Sequence, residues 1–461
     1  MNEEGSMIES IGSNAVEGAK PNFVRPAGFT NYRWMVVALS AIIIIINYMD
    51  RTAISYAVTP LKQEFHLDNT AFGTIASAFA IGYTIMTLGG GIIVDLWGAR
   101  KCWAGAAVAW SICTGLLAAC TGFGHLFALR IALGITEGPC FPAMTRAVTD
   151  WLPISERGRS SAICLAAVPL ASVLGAPLIS HLIVNLGWRM MFVVLAALGV
   201  VWSVFWWVMF RDYPQNSKHV SEKELEFIHE GQPLQVHGSD DEIRKHSLKA
   251  GKTTWNFILF NPALLSNNYS FFSFGYLLFF ATTWLPGFLE QTYNLKVKEV
   301  GLYLIVPWLT AAVFVTVAGI LSDYLWRKTG RIRTSRTHII WVSQMLSAVC
   351  FIALTQIHSL DLVIVFMSLG LAFGLAPNAC YYSLNSDLAK DRAATSLGLM
   401  DCFLAAAGMV APYVTGWLSQ TTGNFNSGIL LMAGLIFSSA LLVFLAQHPD
   451  AQTARSEASA A

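Results

Sequence analysis

Long apolar stretches alternate with short polar ones along most of this chain. A membrane-spanning helix needs about 20 mostly apolar residues. Twelve stretches approach that length, six of them before a polar segment over 211–253: about 34–58, 72–94, 101–120, 124–149, 160–184 and 188–210. Six more follow it, at about 262–289, 298–321, 338–357, 360–386, 394–418 and 427–446. The pattern predicts an all-α integral membrane protein with twelve transmembrane helices in two six-helix halves, residues 34–210 and 256–446. Residues 1–33 form a cytoplasmic N-terminal tail in this reading, 211–255 a cytoplasmic linker and 447–461 a C-terminal tail.

Composition agrees: 55% of the 461 residues are hydrophobic and 12% charged, against about 25% charged in soluble domains. A net charge of +1 offers no basic surface for nucleic acid. Loops facing the cytoplasm hold an excess of Lys and Arg. With twelve spans and both termini inside, only Lys62, Arg189, Lys296 and Lys298 fall in outer loops, and an inverted topology would reverse the bias. The N-terminal tail lacks the apolar core of a cleavable signal, so the first span is itself the targeting element. Eight cysteines lie in or beside apolar stretches with no C-x-x-C pair, which predicts buried thiols rather than disulfides or metal ligands.

The halves repeat. Gly91, Asp95, Gly98, Arg100 and Lys101 follow the second span; Gly319, Asp323, Gly330 and Arg331 follow the eighth. Each copy is a glycine four residues before an aspartate, then a basic cluster. Duplicated motifs in two six-span halves predict parallel repeats about a central site. The aspartate of such a motif caps a helix or pairs with a base across the halves.

Four charges sit inside the apolar stretches: Asp50 and Arg51 in the first, Arg130 and Glu137 in the fourth. A charge at mid-bilayer costs roughly 2.5–3.5 kcal/mol on insertion scales, so it marks a transport path or a partner. Arg130 and Glu137 are seven residues apart, about two helical turns, and share a face while being too far apart to touch. Gly134 between them lets another helix approach. Arg51 suits a carboxylate clamp, and Asp50 suits a proton site. Two acids and two bases in such spans fit a site that binds an anion and moves a proton. Asp401 lies well inside the eleventh span without an adjacent base, and reads as a second proton site, a hydroxyl-binding group or a helix–helix hydrogen bond. Polar residues of the tenth span (Asn378, Tyr381, Tyr382, Ser383, Asn385, Asp387) and the seventh (Asn267, Asn268, Tyr269, Ser270, Tyr276, Trp284) suit a hydrated cavity, some of them only joining helices. Ala250-Gly251-Lys252-Thr253 echoes a phosphate loop, but its earlier glycine position is His246 and no strand precedes it, so no nucleotide site is predicted.

On these residues the chain resembles the anion:cation symporter family of the major facilitator superfamily. The resemblance is carried by Asn47-Tyr48-Met49-Asp50-Arg51, by the motif from Gly91 to Lys101, by Arg130-x3-Gly134-x2-Glu137-Gly138-Pro139-x-Phe141-Pro142-Ala143, and by Trp151-x-Pro153-x2-Glu156-Arg157. It implies that Glu137 is a proton site modulated by Arg130. It further implies that Asp50 and Arg51 link protonation to carboxylate binding, and that Tyr48 and Tyr83 touch substrate. Val168 stands where sugar-acid carriers of the family often have Gln, and Asp401 where they often have Asn.

The function expected is proton-coupled symport of a small organic anion, a sugar acid or other carboxylate, by a monomer that needs no cofactor or metal. Asn378, Tyr382 and Asp401 are expected on the substrate-facing wall of the second half. An exporter or exchanger of the same fold and a non-transporting sensor are the alternatives; no metal-ligand spacing or nucleophile elbow favours an enzyme. The only Asn-x-Ser/Thr triplet, Asn268-Tyr269-Ser270, lies inside a predicted span, which favours a bacterial inner-membrane protein.

Overall fold

In the computed structural model, residues 30–229, 255–389 and 393–450 are described. Most of both predicted tails and the middle of the predicted linker, including the 246–253 segment, lie outside that range.

Sixteen α-helices follow one another among the described residues. The first half holds α1 (Tyr32–Tyr56), α2 (Val58–Phe65), α3 (Asn69–Leu117), α4 (Phe123–Glu137), α5 (Cys140–Trp151), α6 (Ile154–Met209) and, beyond it, α7 (Glu222–His229). The second holds α8 (Trp255–Phe260), α9 (Pro262–Tyr293), α10 (Val297–Tyr303), α11 (Ile305–Thr329), α12 (His338–Leu354), α13 (Leu360–Leu375), α14 (Asn378–Ala389), α15 (Ala393–Thr422) and α16 (Asn426–Ala446). Twelve crossings result. The long helices α3 and α6 each contain two, turned back at Gly98 (φ 79°, ψ 156°) and Gly187 (φ 80°, ψ 161°), a backbone region that glycine alone adopts freely. Conversely, α4 with α5, α10 with α11 and α13 with α14 each make one crossing. Pro139 and Pro377 sit at two of those interruptions, where a missing N–H breaks the hydrogen-bond ladder.

At the face bearing the chain ends, α7 is docked on the start of α1. Arg33, almost fully buried, donates to Glu224 at 3.0 Å and to Glu156 at 2.7 Å. The internal repeat extends beyond the motifs visible in the sequence. Asp212, just after α6, accepts from the backbone N–H of Arg100 at 2.8 Å; Asp450, just after α16, accepts from the N–H groups of Ile332 and Arg333 at 2.8 and 3.2 Å. In each half an acid following the last crossing thus caps the loop that follows the second.

The halves are hydrogen-bonded to each other towards the opposite face. Thr59 donates to Glu290 at 2.5 Å, the Asn69 N–H to Gln420 at 3.2 Å, and the Tyr413 N–H to Ser77 at 3.2 Å. On that face the exposed Arg189 also grips Glu64, and its hydrogen bonds hold the Glu64 carboxyl below its ordinary range. The cysteines form no disulfide; six are buried, Cys113 is half-buried and Cys402 is exposed, a departure from the expected uniform burial.

Candidate functional site

The site is built where α1 meets the α3–α4 pair. Two glycines bring those helices together: a Cβ on Gly82 would lie 2.0 Å from the Ile131 carbonyl oxygen, and one on Gly134 would lie 2.2 Å from that of Phe79. Only glycines permit this approach. It lays the Arg130–Glu137 face of α4 against Phe79 and Tyr83 of α3.

Arg51 is the hub. Its guanidinium donates to Glu137 Oε2 through Nη2 at 3.0 Å and Nε at 3.3 Å, and to Asn47 Oδ1 at 3.5 Å. Three rings surround its charge, with centroids 4.5 Å (Tyr48), 4.6 Å (Phe79) and 4.8 Å (Tyr83) away. Aromatic faces stabilise a cation without neutralising it. Glu137 is fully buried, whereas 11% of the Arg51 side chain stays accessible. The arginine is therefore the member of the pair that a solute can reach.

Arg130 does not pair with Glu137. It is buried, points at the backbone carbonyl of Arg51 from 3.4 Å, and stacks on Phe79 at 4.9 Å. The two charges of α4 thus both act on Arg51, one through its side chain and one through its backbone. Asp50, next to it in sequence, is completely buried, and both carboxylate oxygens have no hydrogen-bond partner among the described residues. Asp50 is thus sealed inside the protein, and Arg51 beside it nearly so.

The second half contributes a more polar wall. Asn378 and Tyr382 are four residues apart on α14 and share a face. Tyr382 packs edge-on against Phe271 at 5.5 Å and donates to Asp401 Oδ1 at 3.4 Å. By contrast, several polar residues of the seventh and tenth crossings join helices. Tyr381 is fully buried against Ser270 and Gln344 (2.9 and 2.8 Å), Asn267 donates to the Tyr381 carbonyl, Tyr269 meets Ser438, and Trp284 donates to the Pro412 carbonyl.

Of the motif residues at the terminal face, Gly98 makes the turn within α3, and Arg100 donates to the Trp207 carbonyl at 2.7 Å while stacking on its ring at 4.4 Å. Gly91 has open space around it. Asp323 pairs with Arg336 at 3.2 Å inside its own half; Arg336 also contacts Ser322 and lies 3.9 Å from Asp387. The Asp95 side chain is outside the described part of the structure. Phe79 was not singled out from sequence, although it lies one turn from Tyr83 and so on its face, and Asn47 was quoted in a motif without a role of its own.

Residues 40–412 match the profile of the Major Facilitator Superfamily. Similar proteins include a hexuronate transporter of Bacillus subtilis (29% identical, covering 88% of this chain and 92% of that one) and a probable galactarate/D-glucarate transporter of the same organism (32%, 92% and 93%). A probable sulfoacetate transporter of Cupriavidus necator is 30% identical over 88% of this chain and 93% of its own. Among solved structures, a bacterial homolog of the human lysosomal transporter Spinster, inward-facing and occupied, superposes with a TM-score of 0.73 at 17% identity, over 92% of this chain and 98% of that one. The inward-open xylose transporter of Escherichia coli gives 0.70 at 15%, over 90% and 96%.

Proposed function

The chain belongs to the Major Facilitator Superfamily, a family of membrane transporters and not of enzymes, and from that premise we propose that it is a proton-coupled symporter of a small organic anion. The cargo is a sugar acid or another carboxylate, carried by alternating access across a bacterial inner membrane, with both termini in the cytoplasm. The halves 34–210 and 256–446 rock about the central site. The observation that carries this reading is the Arg51–Glu137 ion pair beside the unpartnered Asp50.

A substrate carboxylate and the Glu137 carboxylate compete for one guanidinium. When Glu137 takes a proton it loses most of its attraction for Arg51, and Arg51 turns its forked donors to the substrate. Asp50, buried without a base, takes a proton in the same half-cycle, because a buried unpaired charge is costly. Arg130 holds the Arg51 backbone and keeps positive potential in the site. The halves then rock so that the loaded site faces the cytoplasm. Loss of the protons to the less acidic interior restores the Arg51–Glu137 pair, which expels the anion. The similar proteins are described as a hexuronate transporter, a probable galactarate/D-glucarate transporter and a probable sulfoacetate transporter, all with small anions as cargo, which supports the substrate class.

The test is reconstitution into liposomes with an inward proton gradient and a trapped pH dye. Sugar acids, hexuronates, tartrate, aromatic acids and sulfonates are added singly. Internal acidification on adding one class, absent with Arg51→Ala, is the expected result. Uptake of an anion with no proton movement would overturn proton coupling; efflux along the imposed gradient would reverse the direction.

A further inference from the structure

Along the crossings of the second half, cations are confined to the ends. Residues 262–295, 299–326, 337–389 and 393–446 contain no Lys or Arg. The acids in these stretches are otherwise accounted for. Glu290 bonds Thr59, Glu299 caps α10 through the Lys296 N–H, Asp323 pairs with Arg336, Asp387 lies 3.9 Å from the same arginine, and Asp361 is in the first turn of α13. Asp401 differs. It sits in the interior of α15, half-buried, and its partner is a hydroxyl rather than a base.

The packing of α15 fixes where Asp401 looks. Gly408, two turns after Asp401 and so on its face, is seated on the first half: a Cβ there would lie 3.1 Å from the Ala80 Cβ, one turn before Tyr83 on α3. Tyr382, the partner of Asp401, is 38% exposed. Tyr48 and Tyr83 are two of the three rings around Arg51. One wall of the site therefore ends in a guanidinium and the opposite wall in a carboxylate, with tyrosines between them.

We propose that this polarity makes the transporter selective for monoanions whose far end donates hydrogen bonds, such as polyhydroxy monocarboxylates, and that Asp401 rejects dianions. The inference rests on the anion-binding role of Arg51 given above and refines it. A substrate whose carboxylate docks on Arg51 presents its other end to Asp401 and Tyr382. Hydroxyl groups there find an acceptor. A second carboxylate or a sulfonate meets a like charge with no base nearby to offset it. Among substrates named for similar proteins, a hexuronate carries one carboxylate, whereas galactarate, glucarate and sulfoacetate carry two anionic groups.

The experiment compares glucuronate and gluconate with glucarate, matched in carbon chain, by ligand-induced thermal stabilisation of the purified protein and by counterflow in liposomes, at mildly alkaline pH. The expected result is at least about tenfold weaker binding of glucarate than of the better monoacid by the wild-type protein. Asp401→Asn, which keeps size and hydrogen bonding, should narrow that ratio to within about threefold, chiefly by gaining glucarate. Wild-type protein that binds glucarate as tightly as the monoacids overturns the proposal without touching the anion reading. So does an Asp401→Asn variant that is folded, by its unchanged elution and melting, yet keeps the wild-type ratio. Should that variant fail to fold, the wild-type ratio together with Tyr382→Phe decides: Tyr382→Phe must weaken the monoacids and leave glucarate unimproved. Binding of all three acids that survives Arg51→Ala would instead overturn the premise, and the inference with it.

Discussion

Glu137 and Arg51, from the fourth and first crossings, are joined at 3.0 Å with Glu137 sealed from solvent and Arg51 partly open. This asymmetry assigns different consequences to the two residues. Removing charge from Glu137 leaves an arginine that is free for substrate throughout the cycle. Glu137→Gln is therefore expected to retain binding and counterflow, while accumulation driven by a proton gradient falls to a ratio of about one, because a ligand alone shifts states without adding a driving force. Dye acidification and isotope accumulation in the same liposomes check this. Normal accumulation by the variant would remove Glu137 from the coupling step.

Arg51→Ala loses a charge-assisted hydrogen bond of about 1.5–3 kcal/mol. The equivalent weakening of substrate binding is about 10–100-fold. Arg51→Lys is expected to recover only part of it, since an ammonium cannot offer two parallel donors to a carboxylate. Calorimetric titration of the three proteins with the best substrate gives the comparison, and equal affinities would exclude a carboxylate clamp.

Arg130 acts through Arg51. Its one hydrogen bond to that backbone carbonyl, at 3.4 Å, and its stacking on Phe79 hold the helix segment that presents the guanidinium. Arg130→Lys keeps the charge and loses the planar stack, and should weaken substrate affinity by about 1 kcal/mol, or about fivefold. The pH profile of transport separates this positioning role from general destabilisation. It should shift in Arg130→Ala, which deletes a positive charge near Glu137, and stay in place in Arg130→Lys.

The crossings were legible because twenty apolar residues in a row have few other uses, and the superfamily match and fold agree with the two-half, twelve-helix reading. The four buried charges were legible for the same reason: they stand out against their apolar neighbours. Their partners were not. Residues seven apart on one helix cannot touch, which excludes an Arg130–Glu137 pair but does not select Arg51, because that choice depends on how α1 is seated against α4. Phe79 escaped notice since a phenylalanine in a span looks like any other apolar residue. Among the polar residues of the seventh crossing, Ser270 and Asn267 are ones that join helices, satisfying Tyr381 and its carbonyl within one half; composition alone does not separate such residues from those that face a cavity. The Asp212 and Asp450 caps lie at the ends of the halves, where the sequence repeat is too weak to show that they correspond.

The turn at Gly98 offers a stability test with an internal control. Both Gly98 and Gly187 adopt positive φ, so alanine at either position should cost about 1–3 kcal/mol. At Gly98 a Cβ would also lie 2.7–2.9 Å from the Asp212 carboxylate, which already caps the Arg100 N–H, whereas at Gly187 it would meet nothing within 4 Å. Gly98→Ala should therefore lower the melting temperature in detergent more than Gly187→Ala does. Equal losses would mean that Asp212 moves aside without cost.

The hydrogen bond between Thr59 and Glu290 ties the halves together at the face opposite the termini, and Glu290 is almost fully buried there. Separation of the halves at that face would break the bond and hydrate the carboxyl. Thr59→Val removes the donor while keeping the shape, so the closed arrangement is left with a buried, unsatisfied acid. The penalty for such a group is about 1–3 kcal/mol. It applies only while the face is closed, so the variant should favour opening by about fivefold or more. Glu290→Gln can still accept from Thr59 and should shift the balance less. Spin labels at the exposed positions Gln63 and Gln291, on α2 and α9, report the separation of the two ends by pulsed electron resonance. A longer-distance population that grows in Thr59→Val and changes little in Glu290→Gln is the expected pattern. Identical distance distributions in all three proteins would mean that the closed face is held by helix packing, with the Thr59–Glu290 bond contributing nothing to the gate.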